Sequence, residues 1–299
     1  MSKSDPTHNR RNALLAGPAL AVIGIFLLLP LGLMAVYSLL KPGAYGGVVW
    51  QFSPEAYIRF LFDRDIFDDS LVLTTDYLAI FGRSVLQGAI ATVLCLLAGF
   101  PVAYFVATRP ENQKNIWLFL ITIPYWVNLL IRTVALLFVL RDDGPVNSLL
   151  EWLGIIKDPL PLAYSDFAIG LGLIYSYLPF MILPIYSALE RFDFRLIEAA
   201  YDLYAGYRKV LFGVLIPIVK PGIVAGCLLV FIPSVGSFLA PDILGGGKKM
   251  MIGNLIVMQF QGSRNWPFGA AVSMILLTVT LVLLLTVARR AGDSLKNAH

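Results

Sequence analysis

The segment from Ser84 to Thr108 reads SVLQGAIATVLCLLAGFPVAYFVAT and contains no charged residue. A helix needs roughly 20 apolar residues, at about 1.5 Å of rise per residue, to cross the roughly 30 Å hydrocarbon core of a bilayer. This segment has no charge and exceeds that length. It therefore predicts a membrane-spanning helix.

Similar runs recur along the chain and predict an all-α, polytopic membrane protein. Arg132 interrupts one of them, and a cation at membrane depth has to face other helices or water. The six predicted spans are about 13–40, 84–108, 115–140, 167–189, 213–241 and 265–288. They form a single membrane domain at 13–289, with tails at 1–12 and 290–299 and a long loop at about 190–212.

Composition supports this class and excludes several kinds of chemistry. The chain is 58% hydrophobic and 14% charged, with a mean hydropathy of +0.76, whereas globular domains carry roughly 25% charged residues. His8 and His299 lie in the tails, which argues against a catalytic or zinc-binding histidine. Cys95 and Cys227 lie in apolar runs and are expected to be small core residues. We expect no catalytic and no metal site.

Lys and Arg predict the orientation of the chain. They are concentrated in the tails, the segment 109–114 and the long loop, which all lie on one side of the spans, and this pattern marks the cytoplasmic side. Both termini are therefore expected in the cytoplasm, and basic residues at span ends give no reason to expect nucleic acid. Arg10 and Arg11 also allow a cleaved signal peptide. Because the apolar run continues to Leu40, an uncleaved anchor is favoured.

The long loop contains a second feature. Its middle, Leu196 to Tyr204, consists of good helix formers, and Pro217 and Pro221 are expected to end the helical pattern. The alternatives stay open: the helix lies along the membrane face, docks in a partner protein, or only shields its own bundle.

Aromatic and polar side chains recur within or near the spans and could line an aqueous path. Aromatic faces attract ammonium groups, and hydroxyls can replace lost water. Packing and interfacial positions are the alternative for the same residues. The candidates are Tyr125, Trp126, Asn128, Tyr175, Tyr177, Phe180, Ser234 and Phe238. Arg132 would oppose a cation there, so we expect it to have a gating or structural role.

One short motif in the long loop carries a family resemblance. Glu198-Ala199-Ala200, followed by Val214-x-Ile216-Pro217, resembles the cytoplasmic EAA signature of permeases in bacterial ATP-binding-cassette (ABC) importers. That signature reads Glu-Ala-Ala, three residues, Gly, nine residues, Ile-x-Leu-Pro. Tyr204 stands in the Gly position, and Gly206 could supply the turn that glycine permits.

Longer strings resemble the spermidine/putrescine permease branch of this family. They lie at 123–132, 178–186, 252–254 and 265–271. Permeases for other organic cations, opines or phosphonates are alternatives that keep the architecture. A stand-alone channel, a secondary transporter or a membrane enzyme is disfavoured, because the halves show no clear repeat and Arg132 is the one evident titratable group within the spans.

The resemblance implies a MetI-like type I importer permease of the bacterial inner membrane, with the loop helix as a coupling helix. The implied partners are a second permease, two ATPase subunits that bind ATP and Mg²⁺, and an extracytoplasmic solute-binding protein, so this chain needs no cofactor of its own. The implied substrate is a small cation, with Asp242 as the acid that contacts its amine. The implied coupling residues are Glu198, Ala199, Ala200, Asp202, Tyr204, Gly206 and Pro217.

Overall fold

The computed structural model describes residues 6–64 and 71–296 and consists mainly of α-helices, as predicted. The chain divides into two compact units. One comprises Met1–Thr75 with Ile256–Thr278, and the other comprises Asp76–Leu255 with Val279–His299. Two small antiparallel hairpins were not predicted, because three of their strands have only three residues and the fourth, VVWQF, does not alternate between apolar and polar side chains.

The first unit contains both hairpins. Lys41 pairs with Val49 in one hairpin and Asp63 with Val72 in the other. The elements that begin in this unit are α1 (Pro6–Tyr37), β1 (Leu40–Pro42), β2 (Val48–Phe52), α2 (Glu55–Leu61), β3 (Phe62–Arg64), β4 (Leu71–Leu73) and α13 (Trp266–Lys296).

The described part of the second unit contains helices and no strand, and it includes the part of α13 from Val279 onward. Its elements are α3 (Asp76–Ala107), α4 (Glu111–Trp126), α5 (Leu129–Leu140), α6 (Pro145–Trp152), α7 (Asp166–Glu190), α8 (Arg195–Asp202), α9 (Tyr207–Val210), a π-helical segment (Leu211–Leu215), α10 (Ile216–Val235), α11 (Leu239–Leu244) and the start of α12 (Ile252–Gln261).

Within residues 6–64 and 71–296, four helices are long and apolar enough to cross a membrane, and each lies on a predicted span. They are Asp76–Ala107, Asp166–Glu190, Tyr207–Val235 and Trp266–Val287. The first predicted span coincides with α1, whose segment Val22–Tyr37 is apolar. Most side chains before Val22 lie outside the described part, so the count of six spans stays a prediction.

The predicted span at 115–140 is a broken helix rather than a straight one. The segments Glu111–Trp126 and Leu129–Trp152 meet at an angle of 87°. Pro124 has no backbone N–H to donate, which weakens the last turn of α4. Asn128 then starts a new helix, because its side-chain oxygen accepts a hydrogen bond of 2.8 Å from the Leu130 N–H.

The predicted span at 213–241 lies further towards the N-terminus in the structure. Its helix runs from Tyr207 to Val235, so the loop at 190–212 is shorter than expected. Pro217 and Pro221 lie inside the helix instead of ending it. The π-helical segment Leu211–Leu215 immediately precedes Pro217, where the wider turn tolerates the missing N–H.

The core of this unit is formed by α3, α7 and α10, which pack against one another. Small residues bring α7 and α10 close together. A Cβ atom on Gly222 would lie 2.6 Å from the Pro184 carbonyl oxygen, and one on Gly226 would lie 2.8 Å from the Met181 sulfur. Close backbone approach of this kind is how membrane helices gain van der Waals contact. Cys95 lies fully buried in this core as a free thiol, as predicted.

An ionic cluster joins three segments at the N-terminal end of α7. Asp166 accepts hydrogen bonds from Arg83, at 3.0 and 3.1 Å, and from Lys249, at 3.1 Å. One residue further along α3, the Ser84 hydroxyl oxygen accepts a 2.8 Å bond from the Ile252 N–H. The start of α3, the start of α7 and the segment before α12 are thereby held together.

Replacing Gly222 with alanine tests the contact between α7 and α10. We expect Gly222→Ala to lower the stability of the purified protein by about 1–3 kcal/mol, because backbone atoms of α7 would have to move. Thermal unfolding in detergent measures the change. Gly213→Ala is the matched control, since nothing lies within 4 Å of the added methyl group. Equal stability of the two variants would contradict the close contact.

Candidate functional site

A cavity in the second unit is lined by three of the predicted aromatic residues. Tyr125 comes from α4, and Tyr177 and Phe180 come from α7. The cavity has a volume of about 590 Å³, which lies within the range of small-molecule sites. Because α4 and α7 are separate in sequence, only the fold brings these rings together.

The three rings form an ordered aromatic wall. Tyr125 and Phe180 meet edge to face, with ring centroids 5.1 Å apart and an interplanar angle of 88°. Tyr177 and Phe180 are tilted at 40°, with centroids 6.4 Å apart. Such contacts favour defined ring orientations, so this wall presents oriented π-faces.

Tyr177 also completes the end of α10. Its hydroxyl donates a 3.3 Å hydrogen bond to the Pro233 carbonyl. The last carbonyls of a helix have no partner within that helix, and Pro233 lies in the last turn of α10. The side chain that lines the cavity therefore also satisfies a backbone group that lipid would leave unpaired.

The rest of the cavity lining is apolar and was not predicted. It is formed by one face of α10, with Leu284 of α13 beside it. The spacing of these residues is that of a single helix face, but α10 is apolar on all sides, so the sequence gives no sign of which face lines a cavity. The wall residues of α10 are Ala225, Leu228, Leu229, Ile232 and Pro233.

The other predicted path residues do not line this cavity. Trp126 packs edge to face on Phe119, and Asn128 caps α5. Ser234 is fully buried and donates to the Val230 carbonyl of its own helix.

Phe238 and Asp242 lie further along the chain. Phe238 immediately precedes α11, and its carbonyl accepts a hydrogen bond from the Asn254 side chain. Asp242 lies on α11 and not at the end of a long span. Asp242 is exposed, so its burial gives no sign of a structural role.

Arg132 is buried next to the aromatic wall. Its guanidinium carbon lies 5.2 Å from the centroid of the Tyr125 ring and 5.9 Å from that of Tyr175. The side chain is only 7% exposed. Tyr175, which we predicted as a path residue, thus contacts the cation from outside the cavity.

The predicted loop helix exists as α8 and projects an exposed edge. Phe194 and Ile197 pack on the core, whereas Glu198, Ala199 and Asp202 are exposed. The turn after α8 carries Leu203 and Tyr204, which are 82% and 97% exposed. Exposed apolar side chains next to charged ones are typical of a surface that binds another protein.

Tyr204 itself makes the turn that follows α8. Its φ is +57°, a left-handed conformation in which glycine is favoured. Gly206 has φ of −70°, so the left-handed residue of this turn is Tyr204 and not Gly206. Ala200 is half-buried, and Pro217 is exposed in the first turn of α10.

Comparison with known proteins places these features in a family context. Residues 96–295 match the family of binding-protein-dependent transport system inner membrane components. The spermidine/putrescine transport system permease protein PotB of Salmonella typhimurium is 41% identical to this chain over 237 residues, covering 79% of this chain and 82% of PotB.

Two solved structures share the fold. A bacterial ABC transporter involved in the import of the acidic polysaccharide alginate matches with a TM-score of 0.69 at 15% identity, covering 96% of this chain and 98% of its own. A bacterial alginate ABC transporter in complex with an alginate pentasaccharide-bound periplasmic protein matches with a TM-score of 0.62 at 16% identity, covering 94% of each chain.

Removing the Tyr177 hydroxyl tests its role at the end of α10. We expect Tyr177→Phe to lower the stability of the purified protein by about 1 kcal/mol, because the Pro233 carbonyl loses its donor while the ring remains. Thermal unfolding in detergent checks this. Tyr201→Phe, on the exposed side of α8, is the control and is expected to unfold as the unmodified protein does. A Tyr177→Phe variant as stable as the unmodified protein would argue against a stabilising hydrogen bond from Tyr177 to the Pro233 carbonyl.

Proposed function

The chain belongs to the family of binding-protein-dependent transport system inner membrane components, and from this membership we propose that it forms half of the polyamine path of an ATP-driven importer. It is a permease of the inner membrane, a translocation subunit and not the subunit that hydrolyses ATP. The sequence resemblance to the permease family is thereby confirmed.

The observation that carries the choice of substrate is the aromatic cavity. A polyamine consists of ammonium groups joined by methylene chains. Ammonium groups bind to the faces of tyrosine and phenylalanine, such as those of Tyr125, Tyr177 and Phe180. Methylene groups gain free energy from burial against Leu228, Leu229 and Ile232 of α10, which also line the cavity. The 41% identity with PotB supports the same substrate class.

The exposed edge of α8 is proposed as the contact with an ATPase subunit. Leu203 and Tyr204 would insert into a cleft of that subunit, and Glu198 would pair with a basic side chain there. α8 also packs on the core through Ile197, so a movement of the ATPase would reach the spans through a rigid contact. This arrangement favours the docking interpretation of the helix over shielding.

The proposed assembly contains this chain, a second permease, two ATPase subunits that bind ATP and Mg²⁺, and an extracytoplasmic solute-binding protein. The chain belongs to an ABC importer of this general kind. The α8 side, with both termini, faces the cytoplasm in this proposal, because Lys and Arg are concentrated on that side. Asp242, exposed on α11, would then lie where an incoming amine is captured.

Uptake into vesicles tests the substrate. The complete transporter, reconstituted with its binding protein, should accumulate labelled spermidine or putrescine when ATP is supplied to the ATPase side. Phe180→Ala should weaken apparent affinity about fivefold, since one cation–π contact contributes about 1 kcal/mol. Phe119→Ala, which removes an aromatic ring outside the cavity, should leave uptake unchanged. Transport of an opine or phosphonate but of no polyamine would rule out polyamines as the substrate, whereas the assignment as a permease would remain.

Coupling is tested by Glu198→Ala in the same vesicles. We expect ATP hydrolysis stimulated by the loaded binding protein to fall about tenfold or more, because an unpaired charge would remain at the interface. Glu111→Ala is the control, since Glu111 is an exposed acid at the start of α4 that pairs only with Lys114 among the described residues. Full stimulation in the Glu198→Ala transporter would exclude this residue from docking.

A further inference from the structure

Arg132 carries a buried charge that the described part of the chain does not neutralise. The side chain is 93% buried, and neither Nε nor Nη1 has a hydrogen-bond acceptor among the described residues. The ion pairs of residues 6–64 and 71–296 do not include it either. A guanidinium stays protonated in proteins, so the positive charge persists.

The surroundings of Arg132 hold the cation without cancelling its charge. The faces of Tyr125 and Tyr175 attract it, at 5.2 and 5.9 Å from the ring centroids. Arg132 also lies in the first turn of α5, where the partial charge of the helix end is positive as well. The net potential at this point is therefore positive.

This charge lies directly behind the wall of the cavity. Tyr125 contacts Arg132 and also lines the cavity, so the positive potential extends into it. The lining contains no carboxylate, and apart from the two tyrosine hydroxyls its side chains are apolar. A Na⁺ or K⁺ ion that entered would lose water without replacement and would meet repulsion. For an alkylammonium group, contacts with aromatic faces and apolar side chains can offset both the loss of water and the repulsion.

We infer that Arg132 is a selectivity residue that excludes inorganic cations from the path while polyamines pass. The inference rests on the proposed role of the cavity as part of that path. A fixed arginine charge excludes cations from narrow pores by the same physics. The benefit is that a path opened for a polycation does not let monovalent ions discharge the membrane.

Leakage of Rb⁺ tests the inference in the complete transporter. Vesicles loaded with radioactive Rb⁺ are supplied with ATP and the spermidine-loaded binding protein, and Rb⁺ release and spermidine uptake are measured together. We expect Arg132→Gln to raise Rb⁺ release at least about tenfold, the effect of one unit charge at roughly 10 Å and an effective dielectric constant of about 20. Arg132→Lys keeps the charge and should release no more Rb⁺ than the unmodified transporter; a variant that meets this standard is called tight below.

Two further variants separate charge from packing. Thr133→Val changes the buried neighbour on the same helix and should not leak. Asn128→Asp keeps the cap of α5 but adds a carboxylate one turn from Arg132, so it should leak as Arg132→Gln does. This variant decides the question if the Arg132 variants fail to assemble, because Asp is as good a helix cap as Asn.

The outcomes are distinct. Leakage in Arg132→Gln and Asn128→Asp, with tight Arg132→Lys and Thr133→Val, supports the inference. A tight Arg132→Gln, a tight Asn128→Asp, or an Arg132→Lys that leaks as much as Arg132→Gln overturns it. In each of these cases spermidine uptake by the unmodified transporter would still support the proposed function. Absence of that uptake would instead reject the proposed function.

Discussion

Within hydrocarbon every backbone N–H and C=O has to find its partner inside the protein, and three breaks in the described helices meet that demand with a side chain. Asn128 accepts from the Leu130 N–H where the broken span restarts. Tyr177 donates to the Pro233 carbonyl where α10 ends. Ser84 accepts from the Ile252 N–H where α12 begins. Because these backbone groups have partners, the chain can bend within apolar surroundings, and the ends of α4 and α10 both line the cavity.

Close packing converts those bends into a cavity with two different walls. Glycines on α10 bring it against α7, and the break before Asn128 gives α4 an end from which Tyr125 reaches Phe180. One wall offers oriented aromatic faces and the other offers aliphatic side chains. Ammonium groups bind to the first kind of surface and methylene chains to the second. The packing of α4, α7 and α10 therefore provides the surfaces that the proposed substrate class needs.

Charged side chains are few in this chain, and Asp166 and Arg132 differ in whether their charge is neutralised by a neighbour. Asp166 pairs with Arg83 and Lys249 and ties three segments together. Arg132 lies beside aromatic rings, and two of its nitrogens have no acceptor among the described residues. A satisfied ionic cluster contributes to structure, whereas a buried charge without a counter-charge acts on whatever passes near it.

The sequence by itself determined the membrane class, four of the spans, the helix in the long loop and the family, because apolar length and a short motif are local properties. It also identified Tyr125, Tyr177, Phe180 and Arg132 as residues of interest. It did not show the 87° break, the left-handed turn at Tyr204, the π-helical turn before Pro217 or the cavity face of α10. Those were decided by tertiary structure, because a uniformly apolar helix has no periodic signal, and which of its faces meets a neighbour depends on packing between segments far apart in the chain.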